Sequence, residues 1–136
     1  MYLHAETATE SADRVRRSTA NAVNEKIDRQ TDSNIALHAK RSRESIDQRI
    51  EELDREWDVE RVLEVNASTL ALTGLVLGVT VNRKWLALPA VVLSFLFQHG
   101  VQGWCPPLPL LRRLGIRTRG EIDREKYALK ASLADR

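Results

Sequence analysis

Two long uncharged stretches, separated by only a few residues, constrain this chain more than any other feature. The first covers residues 67–81, and apolar residues among 62–65 extend it to 20 residues. The second runs for 19 residues over 86–104, and its only ionisable group is His99. A helix of about 20 residues spans the roughly 30 Å hydrocarbon core of a bilayer. Each stretch therefore predicts a membrane-spanning helix.

The connection Asn82-Arg83-Lys84 is too short for anything except an antiparallel turn. Trp85 and Trp104 bracket the second stretch, where indole rings favour the headgroup level of a bilayer. The predicted fold class is all-α, a membrane helical hairpin of two transmembrane helices over 62–104. The alternative is a soluble hairpin buried in an oligomer. It would need partner surface on every side, because neither stretch has a polar face.

Charge is distributed unevenly around this hairpin. Residues 1–66 carry a formal charge of −4 and residues 67–136 carry +6. Cations near the two outer ends outnumber those in the connection by eight to two, which predicts that both termini are cytoplasmic. The N-terminus also lacks the apolar core of a cleaved secretory signal. The eight cations are Arg49, Arg55, Arg61, Arg112, Arg113, Arg117, Arg119 and Arg124.

Region 1–61 is predicted to form amphipathic cytoplasmic helices. We expect one helix over about 9–30, a break at 31–34, and a longer helix over about 34–65. The longer helix carries a short coiled-coil-like seam that could self-associate, fold back on the first helix or bind a partner helix. The seam consists of Ile46, Ile50, Leu53 and Trp57.

A row of glutamates at every fourth residue over 52–64 occupies the same helix. A cation site on this row is conceivable, but the Glu-x-x-His pattern of di-iron proteins is missing from it. We interpret the row as a solvated face.

Region 105–136 is predicted to lie first along the membrane surface and then to form a last helix. Prolines at 106 and 107 end the second stretch, and the leucines that follow suit an interfacial segment. Thr118 and Glu121 form a capping box that begins a short C-terminal helix. The basic cluster is expected to contact anionic lipids rather than nucleic acid, through Arg112, Arg113, Arg117 and Arg119.

Gly74 and Gly78 lie four residues apart in the first stretch, and small residues at this spacing let helix backbones approach closely in lipid. The two glycines predict either packing of the first span on the second or the seam of a homodimer. The sequence does not choose between these interpretations.

Two residues are candidates for chemistry. Cys105, the single cysteine, is expected at the cytoplasmic membrane surface beside Arg112 and Arg113, whose charge would lower the pKa of its thiol. The simpler interpretation is a small residue that closes a helix end. His99 lies near the end of the second span, where we expect an interhelical hydrogen bond. The three histidines are scattered, and no catalytic constellation, phosphate loop or cofactor site is predicted.

The part of the chain from Val59 to Thr118 resembles a small bacterial inner-membrane domain named after YgaP. The resemblance rests on VERVLEVNASTLALTGLVLG and, most specifically, on GWCPPLPLLRRLGIRT. Glu60 stands where this family usually has aspartate, and a second proline follows the Cys-Pro pair. The resemblance implies a two-helix hairpin in the bacterial inner membrane, often dimeric, with no established chemistry of its own.

These observations favour a non-enzymatic membrane anchor or accessory subunit that self-associates and presents its cytoplasmic helices to a protein partner. The first alternative is an oligomeric channel or transporter for a small solute or anion. Its seam would be lined by Thr73, Gln98, His99 and Gln102. The second alternative is a thiol or persulfide relay at Cys105.

Overall fold

The computed structural model describes residues 14–135, and this part of the chain is helical without a strand. A short helical segment over 14–17 precedes six α-helices. The prediction of an all-helical chain with two long apolar helices is confirmed. The helices are α1 (Asn21–Ala39), α2 (Arg43–Arg55), α3 (Val59–Thr80), α4 (Ala87–Gln102), α5 (Leu108–Arg113) and α6 (Arg119–Ala134), with a 3-10 turn (Arg83–Leu86) between α3 and α4.

The two apolar helices, α3 and α4, pack against each other in opposite directions and leave most of their surface uncovered. The helical segments ending at Thr80 and Gln102 are long and apolar enough to cross a membrane. Only 17% and 6% of the residues in their most apolar windows are buried within the chain. A core helix of a soluble protein would be mostly buried, so these helices differ from that class.

Gly74 and Gly78 lie where α3 meets the beginning of α4. A Cβ atom added to Gly74 would lie 2.5 Å from Cδ of Pro89, and one added to Gly78 would collide with Leu86. Of the two roles predicted for these glycines, the structure shows the first: they allow α3 to pack closely on α4 within a single chain. Another copy of the chain cannot reach the same surface, because α4 covers it.

The remaining helices form a cap at the end of the α3–α4 pair that lies away from the 3-10 turn. Within the cap, α6 packs against both α1 and α2. Its apolar core consists of Ile46, Leu53, Ile122 and Leu129. A second cluster joins the cap to the base of α3 and contains Val15, Val59, Leu63, Cys105 and Leu108.

The predicted helix boundaries in the N-terminal region are wrong at three points. The helix predicted over about 9–30 is interrupted at 18–20, between the short segment over 14–17 and α1. α1 continues through 31–34, because Thr31 is buried and its hydroxyl accepts a hydrogen bond from Arg117. The chain breaks instead before Ser42, whose side chain caps α2. A second break precedes Asp58, whose carboxylate accepts from a backbone amide of α3. The predicted capping box of Thr118 with Glu121 is confirmed.

Gly74→Ala is expected to lower the free energy of unfolding by about 1–3 kcal/mol, the usual cost of overpacking. The added methyl group would meet the stiff ring of Pro89 and lie 3.1 Å from the carbonyl oxygen of Trp85. Gly100→Ala is the matched control, because no atom lies within 4 Å of its added Cβ. Circular dichroism of thermal unfolding in detergent measures both, and equal stability would contradict close packing of α3 on α4.

Candidate functional site

The interior between α1, α5 and α6 is built around one buried arginine. Arg112, near the end of α5, is 1% exposed. It donates to both carboxylate oxygens of Glu121, at 2.6 and 2.7 Å. Its other N–H groups donate to the Asn24 amide oxygen, the Thr19 hydroxyl and the Ile116 carbonyl oxygen. All five N–H donors of this guanidinium are therefore satisfied.

Arg117 lies between two carboxylates close by. Glu56 accepts from its Nε at 2.9 Å and from its Nη2 at 2.5 Å. Glu125 of α6 accepts from its Nη1 at 2.5 Å and also from Arg49 of α2 at 2.9 Å. We refer to Arg112, Arg117, Glu56, Glu121 and Glu125 together as the ion-pair network. The network connects all the helices of the cap.

The charges of the network are compensated where water is excluded. Burial by itself raises the pKa of Glu121, but the hydrogen bonds and charge of Arg112 outweigh burial, and the pKa lies below its usual value. The pKa of the fully buried Glu125 is also lowered, because Arg117 and Arg49 outweigh its burial. Both carboxylates are thus ionised at neutral pH. Removal of the arginine from either pair would leave a buried carboxylate charge without compensation, which is strongly destabilising.

The prediction that four arginines contact anionic lipids is wrong for two of them. Arg112 and Arg117 are buried and form ion pairs with carboxylates of the same chain. Arg119 is partly exposed and pairs with Asp58 at 3.0 Å. Arg113 is exposed and forms no ion pair within residues 14–135. Its side chain remains available to a headgroup.

A second polar contact joins the base of α3 to the end of α4. His99 is 5% exposed, and its Nε2 lies 2.9 Å from a carboxylate oxygen of Glu60. This is the interhelical hydrogen bond expected for His99. The other ring nitrogen, Nδ1, is the single buried side-chain nitrogen or oxygen without a hydrogen-bond partner among residues 14–135.

Cys105 lies beneath the same histidine but not at the surface. It is 3% exposed and belongs to the apolar cluster at the base of α3. It follows Gly103, which ends α4 with φ 77°, and the thiol is enclosed by the protein rather than exposed. Its expected level at the cytoplasmic face of a membrane stays a prediction. A relay of thiol chemistry through Cys105 would require this cluster to open.

A cavity of about 280 Å³ lies between α3, α4 and the prolines that follow α4. We call it the α3–α4 crevice. His99 and Cys105 form its buried end, while Leu70 and Phe95 line its walls and are 48% and 41% exposed. Within residues 14–135, no cluster of His, Cys, Asp and Glu could hold a metal ion. Apart from Asn66, His99 and Cys105, the residues that line the crevice are apolar.

Comparison with known proteins gives no further guide to this site. No family model, curated protein or solved structure matches the chain. The resemblance to the YgaP-type domain stays a prediction. Two of the residues that carry it nevertheless have defined positions, with Cys105 in the apolar cluster and Thr118 at the beginning of α6, where it forms the capping box.

Most of the predicted partner-helix seam is buried inside the cap. Ile46 and Leu53 are fully buried against α6, and Ile50 packs at the edge of the same cluster. Trp57 does not join them; it is 45% exposed, and the guanidinium of Arg61 lies 4.5 Å from its ring centre. Within the chain, α6 supplies most of the surface that faces this seam, and Ala39 of α1 packs at its edge. Self-association of the chain stays a prediction.

The residues of the predicted transport seam are not brought together within one chain. Thr73 donates to the Thr69 carbonyl oxygen of its own helix, and the Gln98 amide donates to Gln102 at 3.3 Å. His99 turns away from them, towards Glu60. A shared polar path would need several chains.

Sequence reasoning missed the acceptors of the network, above all Glu56. The acidic row over 52–64 was interpreted as solvated, yet Glu56 binds Arg117 and Glu60 binds His99. A signal was present in the opposite net charges of 1–66 and 67–136. Such complementarity indicates that the two parts meet, although it does not identify the pairs.

Arg112→Met is expected to destabilise the cap by about 3–5 kcal/mol, because it leaves buried Glu121 with Arg16 as its one cationic partner among residues 14–135. Arg113→Met is the matched control and should change stability by less than about 0.5 kcal/mol. Thermal unfolding monitored by circular dichroism measures both variants. Equal stabilities would show that the network does not hold the cap together.

The stability of the cap is expected to fall in acid. The pKa values of Glu121 and Glu125 lie below the ordinary 4.5 in the folded protein. The unfolded chain therefore binds protons first, and the contribution of both groups, present above pH 4.5, is lost as the pH falls through the folded-state pKa values. Unfolding curves between about pH 7 and 3 measure the slope. The double variant Glu121→Gln/Glu125→Gln should have a shallower slope, and an identical slope would refute the assignment.

Proposed function

We propose that this chain is a non-enzymatic membrane anchor. In this arrangement α3 and α4 cross the bilayer as a hairpin, and the other helices form a rigid cap on the cytoplasmic side. The observation that carries the proposal is the exposure of two packed apolar helices whose charged groups are confined to their ends. Exposed apolar surface of this extent is typical of a helix pair that faces lipid.

The charges support the orientation. Arg83 and Lys84 lie at the turn, and the arginines of the cap lie at the opposite end. An excess of cations favours the cytoplasmic side even when several are paired with acids, because acids contribute little to the rule. By this argument the cap is cytoplasmic and the turn faces the other side of the inner membrane.

We further propose that the cap rests on anionic lipid headgroups through Arg113 and Lys26. Both are exposed, and both line a cavity of about 410 Å³ that also borders Arg112 and Arg117. Leu114 lies beside them and is 69% exposed, as suits a residue that dips below the headgroups. The lipid contact expected from the sequence is thus reassigned from the buried Arg112 and Arg117 to the exposed Arg113 and Lys26.

The accessory role takes a more specific form in this proposal. The apolar seam of α2 is covered by α6, so a partner would recognise the outside of an assembled cap rather than a free helix. A homo-oligomer would likewise associate through the lipid-facing sides of α3 and α4. The glycine surface between them is occupied.

Cysteine labelling in right-side-out spheroplasts tests this arrangement. In a Cys105→Ser background, Lys84→Cys at the turn should react with a membrane-impermeant maleimide. Glu51→Cys on the exposed side of α2 should react only after the membrane is permeabilised. The protein should also stay in the membrane pellet after a carbonate wash. Release by carbonate would overturn the anchor, and labelling of Glu51→Cys in intact spheroplasts would overturn the orientation.

A further inference from the structure

The cavity of about 410 Å³ in the cap lies between α1, α2 and the turn that follows α5. We call it the cap cavity. Cations dominate its charged lining, which contains five of them against one carboxylate, that of Glu56. The five cations are Lys26, Arg49, Arg112, Arg113 and Arg117. A cavity with this lining favours an anionic ligand.

Most of these cations are already compensated within the chain. Arg49, Arg112 and Arg117 all pair with carboxylates of the ion-pair network. Lys26 on α1 and Arg113 at the end of α5 are exposed, and neither forms an ion pair or a hydrogen bond within residues 14–135. An anion that enters the cap cavity can therefore meet two free cations without breaking a bond of the protein.

Two amide side chains add a second kind of recognition group to the cap cavity. Gln30 and Asn34 lie one turn apart on α1, and both line the cavity. The amide nitrogen of Gln30 donates to the side-chain oxygen of Asn34 at 3.1 Å. Whichever of the two amides donates, one carbonyl oxygen and one NH₂ group stay free. Because a hydroxyl group both donates and accepts, it matches such a pair.

These groups together define the chemistry of the ligand. The cations select a phosphate ester, and the amides select hydroxyl groups carried on it. A head that ends in an ammonium group fits poorly, because its charge would lie among five cations. The cap cavity is therefore matched to a phosphodiester whose head has free hydroxyls.

An apolar side chain marks the way out of the cap cavity, and this step rests on the proposed function. Leu114 lines the cavity and is 69% exposed, and Leu110, one turn earlier, is 62% exposed. In the proposed arrangement α5 lies at the cytoplasmic face of the membrane, where exposed leucines reach the acyl chains. The phosphate ester is thus the head of a lipid.

We propose that the cap cavity binds the head of one phosphatidylglycerol molecule. Its phosphodiester oxygens pair with Lys26 and Arg113, and its glycerol hydroxyls bond to the free amide groups of Gln30 and Asn34. Its acyl chains pass Leu114 into the bilayer. The volume of about 410 Å³ lies within the range of ligand sites, roughly 300–1,000 Å³. The contact of the cap with anionic lipid becomes a site for one molecule.

Native mass spectrometry of the full chain in detergent tests the proposal by titration with single lipids. Phosphatidylglycerol should form one adduct and bind about tenfold more tightly than phosphatidylethanolamine, since one hydrogen bond to a charged group is worth about that factor. Equal binding of the two lipids would overturn the site. Phosphatidylmethanol has the same charge without hydroxyls and should bind more weakly than phosphatidylglycerol. Equal binding of these two anionic lipids would overturn recognition by the amides.

The deacylated head separates a lipid from a soluble ligand. Glycerophosphoglycerol carries the same phosphodiester and hydroxyls but lacks acyl chains. It should displace phosphatidylglycerol only at concentrations far above those of the lipid, because it gains nothing from Leu114. Displacement at equal concentration would overturn a lipid as the occupant.

Matched substitutions of exposed cations test the location. Lys26→Gln and Arg113→Gln should each lower the affinity for phosphatidylglycerol about tenfold. Arg29→Gln on the same helix and Arg55→Gln on α2 remove exposed cations that do not line the cap cavity, and they should leave the affinity unchanged. Equal losses in all four variants would show attraction by overall charge and refute the site.

Asn34→Ala tests the amide pair. This variant should bind phosphatidylglycerol and phosphatidylmethanol equally, whereas the unaltered protein separates them. Retained discrimination would overturn the role of the amides, and circular dichroism confirms that the variant is folded. Binding in detergent requires no bilayer, so it remains measurable even if the carbonate wash releases the protein. Failure of the anchor and failure of the lipid site therefore give different results.

Discussion

Arg112 occupies a place from which water is excluded, and each of its five N–H groups must therefore be met by protein. The acceptors come from the segment before α1, from α1, from the turn after α5 and from α6. The buried charge therefore links four separate segments of the chain. The six-residue helix α5, which follows two prolines, delivers this side chain to its position.

The network also determines how the cap meets the apolar helices. The first amide of α3, that of Val59, donates to the Arg117 carbonyl oxygen at 2.9 Å, and Asp58 accepts both from α3 and from Arg119. Glu60, one residue further, binds His99 of α4. Three consecutive residues thus fasten the base of α3 to three other segments. The position at which the chain changes from charged to apolar is fixed by contacts as well as by composition.

The sequence predicts the features that depend on local spacing. Uncharged stretches, the capping box of Thr118 with Glu121 and the spacing of Gly74 and Gly78 require no knowledge of distant residues. The functions of the arginines could not be predicted in this way. The acceptors of Arg112 and Arg117 include Thr19 and Glu56, which lie 93 and 61 residues away. A basic cluster has the same appearance in sequence whether it meets lipid phosphates or distant carboxylates of its own chain.

Arg16 pairs with Glu121 across 105 residues, and both apolar helices lie between these two positions. During synthesis the chain emerges from its N-terminus, so α1 and α2 leave the ribosome long before α6 exists to cover them. The apolar pair is therefore synthesised before the cap can close. Closure of the cap is the last step in forming this structure, because it requires the C-terminal helix, and it joins the segments that precede α3 to those that follow α4. In the proposed membrane arrangement, a closed cap of paired charges is too polar to cross a bilayer and would keep the hairpin in one orientation.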